Sequence, residues 1–322
     1  MSKTVLIIDG DLLAYQSAAI SEDRSIEVTH APTGIKKSFK NRTEFKDKMK
    51  ERGKEITDAY SVIDVQEAPS PALCNKTIKA RIENWKKETQ ADEVEIWVGG
   101  KGNFRDDLPL PKKYKGQREG GLKPLLLADA KSYLKRAHNA RSVDGMEADD
   151  ALICRGYEEL AKGNKPVIAS LDKDNMGNPG LYIYNYGEDN PVVQLIPELG
   201  NLYMKKSTVK GIGLKFLCYQ WVCSDPVDFY AAYDLSSVRF GPKTAHDLLQ
   251  PCQTEKEVLE AVVSQFKKFY PEEFVYTAWD GTEHKADYKS MMALYFKCAK
   301  MKRTWDDDLD YVKFLNSYGV QP

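Results

Sequence analysis

Cysteine and histidine are both scarce in this 322-residue chain, with six and four copies respectively. Cys74, Cys154, Cys218, Cys223, Cys252 and Cys298 are widely spread and form no CxxC pair, so neither a disulfide-stapled scaffold nor a Cys/His zinc site fits. They read as reduced, mostly buried thiols. Long apolar runs are missing too. Nothing approaches the roughly 18 residues needed to cross a bilayer, and the run at 5–8 is broken at once by Asp9 and Asp11, far short of a signal-peptide core. A cytoplasmic protein with no membrane partner is expected. Neither sign of charge is in excess, with 47 Lys and Arg against 48 Asp and Glu, which excludes a uniformly basic nucleic-acid binder and makes any basic footprint local. With 42% apolar and 30% charged residues the chain is no disordered tail or fibrous repeat, and its length suits about two domains.

What is present begins with an alternation of strands and helices. The run VLIID at 5–9 has the look of a buried parallel strand ending in acids, and a helix follows through Tyr15 and Ala19. A helix over 74–89 leads into a strand at 94–100, and a helix between Met146 and Ala161 leads into strand-like runs at 166–172 and 181–186. This predicts a doubly wound α/β domain to about residue 200. Beyond 205 helical patterns dominate, at 214–223, 243–250, 255–268 and 288–300. Residues 20–70 are polar and weakly periodic.

Carboxylates cluster in four places: Asp9 with Asp11, Glu147 with Asp149 and Asp150, Asp172 with Asp174, and Asp225 with Asp228. Ligands of open parallel sheets collect outside the C-terminal strand ends, where strands ending at Asp9 and Asp172 would put two of these groups. Alternation would aim Asp9 with Asp11, and Asp172 with Asp174, at one point if the strands stay extended. On a helix Glu147 and Asp150 share a face, whereas Asp149 joins them only if Glu147 precedes the first regular turn. Singly, each pair is an ordinary cap or dipole partner. Four on one rim point instead to Mg²⁺ or Mn²⁺, since oxygen-only ligation disfavours zinc and no EF-hand spacing occurs. Two such ions suit in-line phosphoryl displacement.

Two basic segments stand out. Residues 101–123 hold seven Lys and Arg against three acids, interleaved with Phe104 and Tyr114, and could clasp a nucleic-acid end. Residues 36–54 hold nine against three, a local charge of +6, with the period of a charged exposed helix. Phe240, Gly241, Pro242, Lys243 and Thr244 form a glycine turn before a helix, suited to a phosphate. Gly211, Ile212 and Gly213 form a similar turn.

Read in order, IIDGD at 7–11, NFR at 103–105, YKGQR at 114–118, GMEADD at 145–150, SLDKD at 170–174, SDPVD at 224–228 and GPKTA at 241–245 resemble the metal-dependent 5′ nuclease family. That family includes flap endonucleases, phage 5′-3′ exonucleases and the 5′-nuclease domain of bacterial DNA polymerase I. The resemblance spans residues 5–250. It implies a PIN-like α/β domain with a mainly parallel sheet over 1–204, bearing a basic loop or arch at about 101–123. It also implies a mainly helical region over 205–322 with a helix-three-turn-helix grip on duplex DNA. On that resemblance Asp9, Glu147, Asp149, Asp150 and Asp172 form the first metal cluster, with Asp174, Asp225 and Asp228 beside a second ion; Asp11, which has no counterpart in many members, is a further candidate ligand. Lys115, Arg118 and Asp172 are the expected catalytic groups. Phe104, Arg105, Tyr114, Lys115, Arg118, Gly241, Lys243 and Thr244 are the expected DNA contacts, with K⁺ a further cation at the duplex-binding turn.

Three departures matter. Gly100 stands where the family commonly has an aspartate, the 224–229 segment replaces Gly-Asp-x-x-Asp-Asn, and the duplex-binding turn lacks Gly-hydrophobic-Gly. The glycines at 211 and 213 are closer to that last pattern but precede Asp225, so they are read as a decoy. The expected protein is a monomeric, phage-type 5′-3′ exonuclease or flap endonuclease acting on DNA with a 5′ end, nick or flap. Two alternatives stay open: a structure-specific DNA-binding protein with impaired catalysis, and an RNase H-like nuclease removing RNA primers from RNA-DNA hybrid.

Overall fold

The computed structural model describes residues 2–68, 70–118 and 120–322, so Glu119 of the basic loop lies outside them. The chain opens with β1 (Thr4–Asp9), α1 (Gly10–Ile20), β2 (Asp23–His30), β3 (Ile35–Phe39), α2 (Arg42–Glu51), β4 (Tyr60–Glu67), α3 (Pro71–Glu88) and β5 (Glu93–Gly99). After the basic loop come α4 (Leu127–His138), β6 (Arg141–Val143), α5 (Ala148–Ala161), β7 (Lys165–Ala169), β8 (Tyr182–Tyr184), β9 (Val193–Leu195), β10 (Asn201–Lys205) and β11 (Thr208–Ile212). The remainder is α6 (Leu214–Val222), β12 (Ser224–Asp225), β13 (Tyr230–Ala231), α7 (Pro242–Leu249), α8 (Glu255–Phe269), β14 (Phe274–Thr277), β15 (Glu283–Ala286), α9 (Tyr288–Ala299) and α10 (Tyr311–Ser317).

These elements form two compact units. The first comprises Met1–Asp11, Asn84–Gly121 and Asn139–Pro322, and the second Leu12–Glu83 with Leu122–His138. In the first, a six-stranded sheet runs β6-β5-β1-β7-β8-β9. All its pairings are parallel except β8 with β9. β1 therefore sits between β5 and β7, at the position where strand order reverses and ligand crevices open in such sheets. Its Val5, Leu6, Ile7 and Ile8 are buried, as a central parallel strand requires.

The helices after residue 205 share the first unit. Trp221, Phe266, Tyr295, Phe296 and Leu315 build its larger apolar core, which also takes in Leu108, Leu110 and Tyr114 from the basic loop. The expected boundary at 204/205 therefore does not coincide with a division between compact units. α6 is buried over its full length, so the glycine turn at 211–213 leads into a core helix. Residues 20–70, unassigned from sequence, contribute an antiparallel sheet, β3-β2-β4, and α2 to the second unit. The first third of the expected charged helix at 36–54 is thus strand β3 and its turn, and α2 forms only over Arg42–Glu51.

Gly10, between Asp9 and Asp11, is a packing requirement. A Cβ there would lie 2.6 Å from the Trp97 carbonyl oxygen and 2.7 Å from Val98 Cγ1, so β1 and β5 would be pushed apart where Asp9 is presented. Gly10→Ala should lower stability by about 1–3 kcal/mol, read as a reduced urea midpoint. An unchanged midpoint would mean that this approach is looser than described.

Candidate metal centre

The acids converge at the C-terminal end of the parallel sheet. Asp9 closes β1, is buried, and accepts a hydrogen bond from Ser170 Oγ at 3.2 Å. Glu147 is the N-cap of α5 with extended backbone, φ −76° and ψ 157°, so it precedes the first regular turn and Asp149 can join it. Asp149 accepts from Asn175 Nδ2 at 2.9 Å. Asp172 caps the short 3₁₀ turn Lys173–Gly177 and accepts from the Asp174 N–H at 3.0 Å. Burial, then the charges of Asp172 and Asp9, hold the Asp149 carboxyl well above the usual range, placing these three acids in one electrostatic pocket.

Asp174, Asp225 and Asp228 form a second group, all buried, with carboxylate oxygens within 4.8 Å of one another. Asp225 Oδ1 accepts the N–H groups of Val227 at 2.9 Å and Asp228 at 3.3 Å, an Asx-type turn that brings Asp228 back to Asp225. Burial and then Asp172, Asp228 and Asp225 drive the Asp174 carboxyl upward, while Gln220 Nε2 donates to its Oδ1. Asp228 is raised mainly by burial, against the opposing pull of Lys115.

Three cations pair with this rim. Lys115 reaches Glu147 and lies 3.5 Å from Asp228, Arg118 is 3.2 Å from Asp228, and Lys173 is 2.6 Å from Asp225. With Arg105 Nη1, which lies 3.5 Å from Glu147 Oε2 but is already paired with Asp150, seven carboxylates (Asp9, Glu147, Asp149, Asp172, Asp174, Asp225 and Asp228) meet four cationic partners among the described residues. Four of the seven are buried and the rest half-buried, and carboxylates in such excess there hold protons or a metal. An all-oxygen donor set with no thiol or imidazole fits a hard divalent cation.

Several expected site residues stand elsewhere. Arg105 is 0% exposed and offers no surface to DNA. Its Nη1 and Nη2 donate to Asp150 Oδ2 and Oδ1 at 2.6 and 3.1 Å, and Nε and Nη2 donate to the carbonyls of Lys297 and Lys300, each at 3.0 Å. Asp150, expected as a ligand, also accepts the Lys302 and Glu147 N–H groups, so both its oxygens are committed inside the protein. Tyr114 is buried rather than free to stack on a base, and donates to Asp228 Oδ2 at 2.7 Å. Phe104 lies under the Arg105 guanidinium at 4.4 Å and Lys302 Nζ at 5.3 Å. Asp11 does not pair with Asp9 by alternation, because the strand ends at Asp9; its Oδ2 accepts the Gly99 N–H at 3.0 Å. Gly241, Lys243 and Thr244 open α7 at the surface, and Lys243, 80% exposed, pairs with Asp247.

Gly100 has a steric cause. A Cβ at this position would lie 2.7 Å from the Val143 carbonyl oxygen and 2.0 Å from Asp144 Oδ1, which itself accepts the Lys101 N–H at 2.7 Å. Sequence reasoning missed Lys173, Asn175 and Gln220. Lys173 lies inside SLDKD and was legible from its place between two acids; Gln220, on a buried helix, gave no such signal.

The molecule matches the T5 D15 protein crystallised with metal ions over 98% of this chain and 94% of that one, with a TM-score of 0.50 and 14% identity. The chain shares the fold of that protein. Structures titled as zinc bound to T5 5′-exonuclease, and as a complex of T5 D15 flap endonuclease with DNA and metal ions, match with TM-scores of 0.44 and 0.43 at 13% and 11% identity. Each covers 92% of this chain, and 100% and 99% of its own. No protein-family model and no curated protein sequence matches the chain.

Two measurements test this account. Arg105→Ala leaves Asp150 buried without its partner and should cost about 3–5 kcal/mol in a urea titration; a cost near zero would contradict the buried pairing. Asp174 binds protons more tightly in the folded chain than unfolded, so without metal its ionisation opposes folding. That cost is absent below the ordinary Asp value of about 3.9 and grows as pH rises toward the raised folded value. In EDTA, Asp174→Asn should therefore melt above the unsubstituted chain near neutral pH, with the gap closing in acid. A lower melting point near neutrality would refute the repulsion.

Proposed function

We propose that the chain is a divalent-metal-dependent 5′ nuclease that hydrolyses DNA phosphodiester bonds, as a 5′-3′ exonuclease or flap endonuclease. The observation that carries this reading is the meeting of two carboxylate groups at the switch point of the parallel sheet, with Lys115 and Arg118 on the same acids. The shared fold with the T5 D15 protein, and the names of its T5 relatives, support it.

Asp9, Glu147, Asp149 and Asp172 would hold one ion, and Asp174, Asp225 and Asp228 another. Mg²⁺ or Mn²⁺ there supplies the Lewis acidity and the activated water of an in-line phosphoryl displacement. Lys115 and Arg118 would bind the scissile phosphate and neutralise charge as it develops, exchanging their carboxylate partners for phosphate oxygens. Asn175, on Asp149, and Gln220, on Asp174, would keep those carboxylates oriented. At the surface, Gly241, Lys243 and Thr244 at the start of α7 would take a phosphate of duplex DNA, the place for K⁺ in this reading. The substrate would be DNA with a 5′ end, nick or flap, handled by a monomer.

The deciding assay resolves cleavage of a 5′-flap duplex, labelled at either end, with Mg²⁺ and with EDTA. Short 5′ products only with Mg²⁺ are expected, and their sizes tell stepwise digestion from flap incision. An RNA-DNA hybrid alongside tests the primer-removing alternative. A gel shift without cleavage would hand the chain to the DNA-binding reading. Asp172→Ala should abolish cleavage while leaving binding, and Lys115→Ala should lower kcat about 10²–10³-fold. Unsubstituted rates in either would remove that residue from the mechanism.

A further inference from the structure

The second unit carries a pocket that the nuclease reading does not use. Side-chain alternation puts Val28 and His30 of β2, Ile35, Lys37 and Phe39 of β3, and Tyr60 of β4 on one face of the sheet, because His30 is in register with both Ile35 and Tyr60. α2 packs on this face through Phe45 and Met49, which join Ile26 and Val28 in a core of only four buried residues. So small a core leaves one end of the interface open, as a cavity of about 270 Å³. That is just below the ~300 Å³ lower end for small-ligand sites, the scale of a nucleotide rather than a large cofactor.

Its lining divides by chemistry. The floor is apolar and aromatic, with Phe39, Phe45 and Tyr60, and His30 lies with its ring centroid 4.8 Å from that of Tyr60. The rim is basic: Lys37, Arg52 and Lys54 line it, and no carboxylate does among the described residues. Neighbouring cations are committed, Lys36 to Glu27, Arg42 to Asp64 and Lys48 to Glu44. By contrast, among the described residues none of Lys37, Arg52 and Lys54 has a carboxylate within the 4.0 Å of an ion pair. Three unpaired cations converging on an aromatic-floored cavity would repel one another unless an anion enters, and an anion that also carries a flat ring satisfies both halves of the lining.

We propose that this pocket is a second nucleic-acid site, which takes one nucleotide of a single strand with its base against the His30, Tyr60 and Phe39 rings and its phosphates on Lys37, Arg52 and Lys54. Aromatic platforms beside a basic track are how single strands are held without sequence preference. The choice of nucleic acid over another polyanion rests on the nuclease reading; the pocket itself does not.

The test uses the full chain in EDTA, with fluorescence anisotropy of labelled oligothymidylate at several salt concentrations. Lys37→Ala, Arg52→Ala and Lys54→Ala are combined, since among the described residues none of the three holds a carboxylate, and an unchanged far-UV spectrum checks that the fold survives. With about 0.7 of salt slope per phosphate contact on single strands, the triple variant should lose roughly two units of slope and tenfold or more in affinity at low salt. Oligonucleotides carrying 5-iodouracil should photo-crosslink within residues 28–60. Unchanged affinity and slope would overturn the proposal, as would crosslinks confined to other residues, or tighter binding of an acidic, Phe-containing peptide than of the oligonucleotide. Flap cleavage with Mg²⁺ is read in parallel: its absence in the unsubstituted chain would refute the nuclease reading while the binding result stands.

Discussion

The site depends on one buried guanidinium. Arg105, carried in by the loop after β5, ties Asp150 in the first turn of α5 to the carbonyls of Lys297 and Lys300 around the end of α9. Burying such a charge is costly unless its donors are met, and here two carboxylate oxygens and two carbonyls meet them. The consequence reaches the surface through Asp150. Its Oδ2 accepts the Glu147 N–H in a reciprocal cap, which holds Glu147 extended at the helix start. Glu147 is thereby turned toward Lys115 and away from a regular helical position, where it could not share a centre with Asp149.

Against that satisfied pair, the carboxylates around it are deliberately under-compensated. Asp149 and Asp174 sit where burial and neighbouring acids favour the protonated form, while the cations in reach are spent on Glu147, Asp225 and Asp228. A protein that only needed stability would replace such acids with amides or apolar groups at no loss. Their grouping at the end of β1, the start of α5 and the turn after β7 is a donor set that hard divalent cations would neutralise.

Much of this was legible in the sequence because the relevant signals are local. The apolar run at 5–8 and the helical periods after 205 fix elements whose observed limits fall within a few residues of those expected. The Asp149 question was conditional on one backbone conformation, and the N-cap geometry of Glu147 answered it. What could not be read was direction. NFR and YKGQR hold cations and aromatics in a loop, and nothing local tells that Arg105 and Tyr114 turn inward onto carboxylates more than 30 residues away while Arg118 stays half exposed. The unit built from residues 20–70 was invisible for a different reason. β3 is almost wholly exposed, β4 is half exposed with no residue fully buried, and a core of Ile26, Val28, Phe45 and Met49 is too sparse to print a period on so charged a stretch.

Gly100 shows how a departure from a family pattern can be a packing solution. The missing aspartate suggests a lost ligand if the position is considered alone. Yet Gly100 N–H donates to the Val143 carbonyl at 2.7 Å, and any side chain would drive its Cβ into that same oxygen, so the approach of the 99–101 and 143–145 segments demands glycine. The space such a side chain would fill holds the carboxylate of Asp144, anchored on the Lys101 N–H. A carboxylate thus stands at this corner of the sheet, delivered from the strand beside it. The glycine and Asp144 belong to one arrangement, in which replacing Gly100 with aspartate would break a backbone contact before it added a ligand.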